Sequence, residues 1–434
     1  MHYFSTSKKS APVSFRKALF NGQPNDRGLY FPSQIPALPT NFVESLKEKS
    51  KAEIAFDVIK PYIGEEIDDS SLYQICAETV GIEFPLVKIN DSISTLELFH
   101  GPTFAFKDIG ARFMSLCLQY FSKDSAKKTI VIVATSGDTG GAVANGFYGL
   151  NSVEVVILYP KGRVSRLQEL QITTLGNNVT AVEVDANFDE CQAMAKNALA
   201  DETLRKAANL TSANSINVAR WLPQQFYYFF AYQELTEKQI PPVICVPSGN
   251  FGNVCAGILA NRAGLPCKQF IAATNANDVI PQFLKSGEMK EKNAVPTLSN
   301  AMDIGKPSNF VRILEIFANN LPNLSEFLVS ESISDERTIE TIKRVYAESG
   351  YILDPHGAVG YCALEDYLKT VDAECGYFLE TAHPAKFDVV SEILGVEIPA
   401  PNAANELLNK EANKIEMNAD YSAYRKLLLS KAND

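Results

Sequence analysis

Thr129-Ile130-Val131-Ile132-Val133-Ala134-Thr135-Ser136-Gly137-Asp138-Thr139-Gly140-Gly141 joins a β-branched apolar run to a turn of glycines and hydroxyls. A short run of that composition reads as a strand buried on both faces. A helical pattern opens behind the turn, at Ala142. Outward from this unit the same alternation continues. Strand patterns recur at Val153 to Tyr159, Val179 to Val184, Val243 to Val246, Gln269 to Ala273 and Tyr377 to Leu379. Helical patterns occupy Phe188 to Ala200 and Val254 to Ala263 between them, and a long helical region around Asn217 to Leu235 separates two groups of strands. Alternation of this kind predicts an α/β fold with largely parallel strands, here in two sheets. Phe42 to Phe56 and Asp68 to Val80 read as helices of a small N-terminal domain, and Glu406 to Lys431 as one or two C-terminal helices. The expected boundaries are 1–85, 86–400 and 401–434. A length of 434 residues agrees with about three such units.

Composition narrows the function. Apolar residues at 46% and charged residues at 21% support full cores and exclude global disorder. A net charge of −11 argues against duplex nucleic acid, whose binders need an electropositive footprint. It leaves anionic small substrates open, because the charge of a site is local. Eight cysteines with no Cys-x-x-Cys spacing read as small buried hydrophobes of a reducing compartment. Four histidines without a His-Glu-x-x-His pattern argue against a protein-built metal site. No apolar stretch reaches membrane-span length, and the N-terminus lacks the apolar core of a secretion signal. A cytoplasmic protein is expected.

Three segments could carry chemistry. Ser136 to Gly141 follows a strand and precedes a helix, where N–H groups can hold an anion. An ordinary turn with Asp138 or Thr139 as helix cap explains the same residues. Ser248-Gly249-Asn250-Phe251-Gly252-Asn253 repeats the arrangement, with glycines that let backbone approach a phosphate. Neither loop matches a dinucleotide or Walker pattern. His100-Gly101-Pro102-Thr103-Phe104-Ala105-Phe106-Lys107-Asp108 puts Lys107 between aromatics and an apolar helix. Desolvation there lowers an amine's pKa and frees it for imine chemistry, although many such lysines only snorkel to solvent. Together the three are the parts that pyridoxal phosphate needs.

The sequence resembles threonine synthase of the longer-chain subgroup found in bacteria and fungi. The matching stretches are His100 to Asp108, Ala134 to Gly141, Ser212 to Asn217, Pro247 to Asn253, Leu298 to Asp303 and Thr381 to Phe387. The resemblance implies a tryptophan-synthase-β-like unit, fold type II among pyridoxal-phosphate enzymes, with two open twisted sheet lobes plus the N-terminal domain. It implies Lys107 as the Schiff-base lysine and Gly249, Asn250, Phe251, Gly252 and Asn253 as the cofactor-phosphate loop. Thr381 is implied to meet the pyridine nitrogen. Ser136, Gly137, Asp138 and Thr139 are implied to receive the substrate α-carboxylate. Because a carboxylate repels a carboxylate, Asp138 is expected to point elsewhere.

The implied reaction takes O-phospho-L-homoserine and water to L-threonine and phosphate, with Lys107 as general base at Cα and then Cβ. The leaving phosphate needs cationic or donor groups. Ser215, Asn217, Arg220 and Lys386 are the candidates, with Lys161 and Arg163 as weaker ones. Asp354-Pro355-His356-Gly357 reads as a helix start. His356 and His383 are assigned structural hydrogen bonds ahead of proton shuttling. A monomer or weak homodimer is expected. Two competing readings stay open: a lyase that releases 2-oxobutyrate from the same substrate, and a non-catalytic metabolite-binding protein on the same scaffold.

Overall fold

The computed structural model describes residues 1–123, 127–151, 153–371 and 375–433. Thirteen strands are found among them. In chain order they are β1 (Tyr3–Ser5), β2 (Tyr30–Pro32), β3 (Leu86–Lys88), β4 (Ile93–Glu97), β5 (Thr129–Ala134), β6 (Val153–Pro160) and β7 (Val179–Asp185). There follow β8 (Asn209–Ser212), β9 (Val243–Pro247), β10 (Gln269–Thr274), β11 (Leu328–Ser332), β12 (Gly376–Glu380) and β13 (Ile415–Asn418).

Two larger sheets hold most of the strands. A six-stranded sheet has the order β11-β10-β9-β12-β4-β3, and a five-stranded sheet the order β13-β7-β6-β5-β8. All neighbours are parallel except β3 and β4. The two-sheet α/β expectation therefore holds. Buried β-branched runs such as Ile130 to Val133 leave no solvent face on the inner strands, as parallel sheets require.

The first 85 residues carry the antiparallel pair β1–β2 and the helices Phe15–Asn21, Lys51–Ile63 and Asp69–Thr79. Helix Lys51–Ile63 starts on a capping box in which Ser50 and Glu53 satisfy each other's backbone N–H groups. The apolar face of this region shares one core with Trp221 and the aromatic run Phe226 to Tyr232. Tyr3 Oη reaches the Tyr62 carbonyl at 2.7 Å inside that core. Each buried aromatic of this size contributes roughly 1.5–3 kcal/mol, so the N-terminal residues are bound to the lobes by burial.

Three expectations about local structure need correction. The stretch Asn217 to Leu235 is three pieces, a short helix Val218–Trp221, a 3-10 turn Leu222–Gln225 and the helix Phe226–Glu234. Pro223 lacks the N–H that one continuous helix would use. Phe42 to Phe56 is likewise divided, by the Ser50 cap between a 3-10 turn and the next helix. The C-terminal segment is a helix Asn402–Leu408, the edge strand β13 and a helix Tyr421–Asn433. Exposed Ile415 and Glu416 give β13 no alternating apolar signal, and its place beside β7 comes from backbone pairing.

Four segments leave the C-terminal ends of strands: Phe99 to Lys107 after β4, the 135–140 loop after β5, the 248–253 loop after β9, and Thr381 to Lys386 after β12. That is where open α/β sheets place ligands. No helix among the described residues is long and apolar enough to cross a membrane.

Candidate active site

Lys107 is the first residue of the helix Lys107–Ser122, half-buried, with its Nζ 5.3 Å from the Phe106 ring centroid. Among the described residues its amine has no hydrogen-bond or ion-pair partner. Burial lowers its pKa, Asp138 opposes that, and the nearby Arg220 and Lys386 cations add to it. The segment before it is fastened to the strand end of β12. Phe106 N–H donates to the Thr381 carbonyl at 2.9 Å, and His383 N–H donates to the Phe104 carbonyl at 3.0 Å. Thr381 is thereby brought beside Lys107, and its hydroxyl keeps no partner among the described residues.

The 135–140 loop is organised by Thr135. Its Oγ1 accepts from Gly137 N–H (3.2 Å) and Gly140 N–H (3.0 Å) and donates to the Gly137 carbonyl (2.8 Å). The helix that follows begins at Asp138, earlier than the Ala142 expected from sequence, and Gly137 stands at its cap without a side-chain bond. Neither Asp138 nor Thr139 is the cap. The hydroxyls of Ser136 and Thr139 and the N–H groups of Asp138 and Thr139 remain without acceptors or donors of their own.

Asp138 is buried and lies 2.6 Å from Lys386 Nζ, while Gln168 Nε2 donates to the same carboxylate at 3.1 Å. Burial alone would raise this carboxyl; attraction from Lys386 and Lys107 outweighs it and holds the pKa well below the usual range. Lys386 also donates to the Thr103 carbonyl at 2.7 Å. Lys386, expected from sequence beside the substrate phosphate, is the counter-ion of Asp138 in this structure. The pair joins a loop of the five-stranded sheet to a loop of the six-stranded one.

The 248–253 loop has a different construction. Phe251 adopts a left-handed backbone (φ 60°) and caps the helix Gly252–Arg262 without a side-chain bond. A left-handed non-glycine costs about 1–2 kcal/mol. Phe251 packs edge-on to Phe310, with ring centroids 5.4 Å apart. The open N-terminus of this 11-residue helix presents N–H groups that favour an anion. Asn250 Oδ1 accepts from Ser308 Oγ at 3.1 Å, and Asn253 Oδ1 accepts from Tyr228 Oη at 2.7 Å. Asn253 Nδ2 is buried and unpartnered. A Cβ on Gly249 would stand 2.7 Å from Met302 Cα, so only glycine fits there. These groups fit pyridoxal phosphate: an unpartnered amine, a helix N-terminus for its phosphate and a free hydroxyl at Thr381.

Of the other phosphate candidates, Asn217 is removed. It caps the helix Val218–Trp221 and its Nδ2 donates to Leu19 O, Ser212 O and Thr211 Oγ1, so the amide is spent inside the protein. Ser215 lies against the 248–253 loop, its hydroxyl accepting from Asn309 Nδ2 at 3.0 Å. Arg220 is buried, with its pKa pulled down to about 10 by desolvation. Nη1 donates to the Ala213 carbonyl, while Nε is buried without a partner and no carboxylate pairs with the guanidinium among the described residues. Lys161 and Arg163 are exposed, and Lys161 faces Glu416. His383 accepts from Ala385 N–H as a cap.

Sequence reasoning missed Arg312. It is fully buried, stacks 4.4 Å over Trp221, and donates to Tyr30 O, Ser215 O, Ile216 O and Asn309 Oδ1. It ties the N-terminal region to the support of the 248–253 loop. The available signal was an arginine inside the apolar run Phe310 to Leu314, since a buried charge requires partners.

Comparison with known proteins agrees with this geometry. Residues 85–375 match the family described as pyridoxal-phosphate dependent enzyme. Residues 2–80 match threonine synthase N terminus, and 357–428 match threonine synthase, C-terminal. The chain is 44% identical over 431 residues to threonine synthase of Haemophilus influenzae, covering 99% of this chain and all of that one. The crystal structure of threonine synthase from Escherichia coli superposes with a TM-score of 0.93 at 40% identity, covering 99% of this chain and all of that one. That of pyridoxal-phosphate-bound threonine synthase from Brucella melitensis gives 0.92 at 32% identity and full coverage of both. A lysine amine without a partner, two anion-ready loops and these full-length likenesses converge: the chain belongs to the threonine synthase family of pyridoxal-phosphate-dependent lyases.

Proposed function

We propose that the chain converts O-phospho-L-homoserine and water to L-threonine and phosphate. The observation that supports this most is the unpartnered Lys107 amine beside two loops with free anion-binding groups. When bound, pyridoxal phosphate supplies an electron sink for bonds at the carbon bearing the substrate amine. Gly249 to Asn253 would hold its phosphate and the Thr381 hydroxyl would serve its ring nitrogen. Ser136, Thr139 and the N–H groups of the first helical turn take the substrate carboxylate. Asp138 does not repel that carboxylate, because Lys386 already neutralises it.

Lys107 Nζ, kept toward its neutral form by burial, moves protons at substrate Cα and then Cβ. Phosphate departs from Cγ toward Arg220 and Ser215, whose spare donors offset the growing charge. A water adds at Cβ. This reading extends to a cytoplasmic enzyme acting as a monomer or weak homodimer.

Incubation with O-phospho-L-homoserine and mass spectrometry of the products tests it. Threonine with equimolar phosphate is the expected result. 2-Oxobutyrate as the main product would favour the phospho-lyase reading instead. A Lys107→Ala variant should lose the near-visible absorbance of the bound cofactor; wild-type protein that takes up no cofactor would favour a binding protein.

A further inference from the structure

A chain of buried polar groups runs behind the site. Glu380 ends β12, one residue before Thr381, and is fully buried. Its Oε1 accepts from Asp354 N–H at 2.6 Å. Asp354 Oδ1 in turn receives His356 N–H at 2.7 Å and lies 2.6 Å from His356 Nδ1. The far side of the ring, Nε2, accepts the N–H of Ala301 at 3.2 Å. That bond fixes the tautomer: the proton sits on Nδ1 and Nε2 is the acceptor.

Ala301 occupies a telling place. Its carbonyl lies 3.3 Å from a Cβ built on Gly249, and its own Cβ lies 3.9 Å from one built on Gly137. The 3-10 turn Asn300–Met302 therefore touches both anion loops at once. The turn's far end is held by Asp303, which accepts from Thr297 Oγ1 (2.7 Å) and Asn275 Nδ2 (2.9 Å). His356 supplies the side-chain acceptor at its middle.

We propose that His356, Asp354 and Glu380 are positioning residues: they anchor the Ala301 turn against the Gly137 and Gly249 loops and so set the spacing of the two anion sites. The inference rests on the loop assignments of the proposed function. Two further observations support it. Asp354 Oδ2 and Glu380 Oε2 are both buried without a donor. Burial and the Asp354 charge push Glu380 well above the usual carboxylate range, which favours its neutral form. The backbone is also built around this carboxyl, since a Cβ on Gly357 would stand 1.9 Å from Glu380 Oε2.

The test uses the holoenzyme and two readouts, steady-state kinetics and amide hydrogen exchange of the peptide covering 298–304. His356→Leu keeps the volume and removes the acceptor. It is expected to raise KM for O-phospho-L-homoserine about tenfold with kcat within about threefold, and to speed exchange in the peptide about tenfold, the effect of one lost hydrogen bond. His356→Gln restores an acceptor and should recover most of both changes. Glu380→Gln, which still accepts from Asp354 N–H, should leave exchange near wild type, whereas Glu380→Leu should raise it. Unchanged KM and exchange in His356→Leu, no rescue by His356→Gln, or Glu380→Gln behaving as Glu380→Leu would each overturn the proposal. Wild-type protein that forms no threonine would instead overturn the proposed function, and the exchange readout would still decide the anchor.

Discussion

The loops after β5 and β9 look alike in sequence, each a strand end followed by glycines and a helix, yet they are stabilised by different physics. The 135–140 loop is held by charge: Asp138 pairs with Lys386 from the other sheet, and Thr135 ties its backbone. The 248–253 loop is held by shape: Gly249 is pressed on Met302, and a left-handed Phe251 is wedged on Phe310. No carboxylate side chain lies within the second loop, so its helix N-terminus meets an anion without internal competition. The first loop must carry its own cation to tolerate one.

The largest effect should come from breaking the charge pair. Lys386→Met strands a buried carboxylate and should cost about 3–5 kcal/mol in chemical denaturation, while Asp138→Leu with Lys386→Met should regain most of that loss. If the single variant unfolds at the wild-type midpoint, charge is not what holds the first loop.

A pH experiment sharpens the same contrast between paired and unpaired carboxyls. Asp108, beside Lys107, is buried without a cation at hydrogen-bond distance among the described residues, and burial raises it from 3.8 to about 6. The folded state then binds more protons than the unfolded state between these values. Wild type should lose up to about 3 kcal/mol relative to Asp108→Asn as pH rises through that window, and nothing further above it. Parallel stability curves for the two proteins from pH 4 to 7 would refute this.

Glycine substitutions divide the loops by steric room. Gly249→Ala drives a methyl into backbone at 2.7 Å and should cost about 1–3 kcal/mol, with weaker cofactor binding in a fluorescence titration. Gly137→Ala is the smallest effect. Its backbone is extended (φ 178°) and its nearest neighbour is a Gln168 side-chain nitrogen at 3.4 Å, so stability should stay within about 0.5 kcal/mol. Equal losses at both positions would erase the distinction.

Much of this was legible in the chain itself, and the rest fails for physical reasons. β5, β6, β7, β9 and β10 announce themselves because inner parallel strands need unbroken apolar runs. β13 does not, since an exposed edge strand is recruited by backbone pairing. Lys107 and both loops stand out as candidates by local pattern, whereas their roles were implied by the resemblance of several stretches in order. The Lys386–Asp138 pair, the contacts of Arg312 to Tyr30 and Ile216, and the links of the Asp354–His356 pair to Glu380 and Ala301 join residues remote in sequence, and no local spacing encodes them. The expectation that Asp138 turns from the substrate carboxylate followed from charge repulsion alone; its partner did not. Asn217 was misread for the opposite reason. Its place near a helix start suggested a ligand, whereas the start itself consumes the side chain.

The division of labour between the loops is the central claim, and a crystal structure of the holoenzyme with a phosphonate analogue of the substrate tests it most directly. The account predicts cofactor phosphate on the N–H groups of Gly252 and Asn253, the analogue's carboxylate on Ser136 and Thr139, and its phosphonate within salt-bridge reach of Arg220, with Lys386 still on Asp138. Cofactor phosphate seated at the 135–140 loop, or a phosphonate held by Lys386 with Asp138 released, would contradict it.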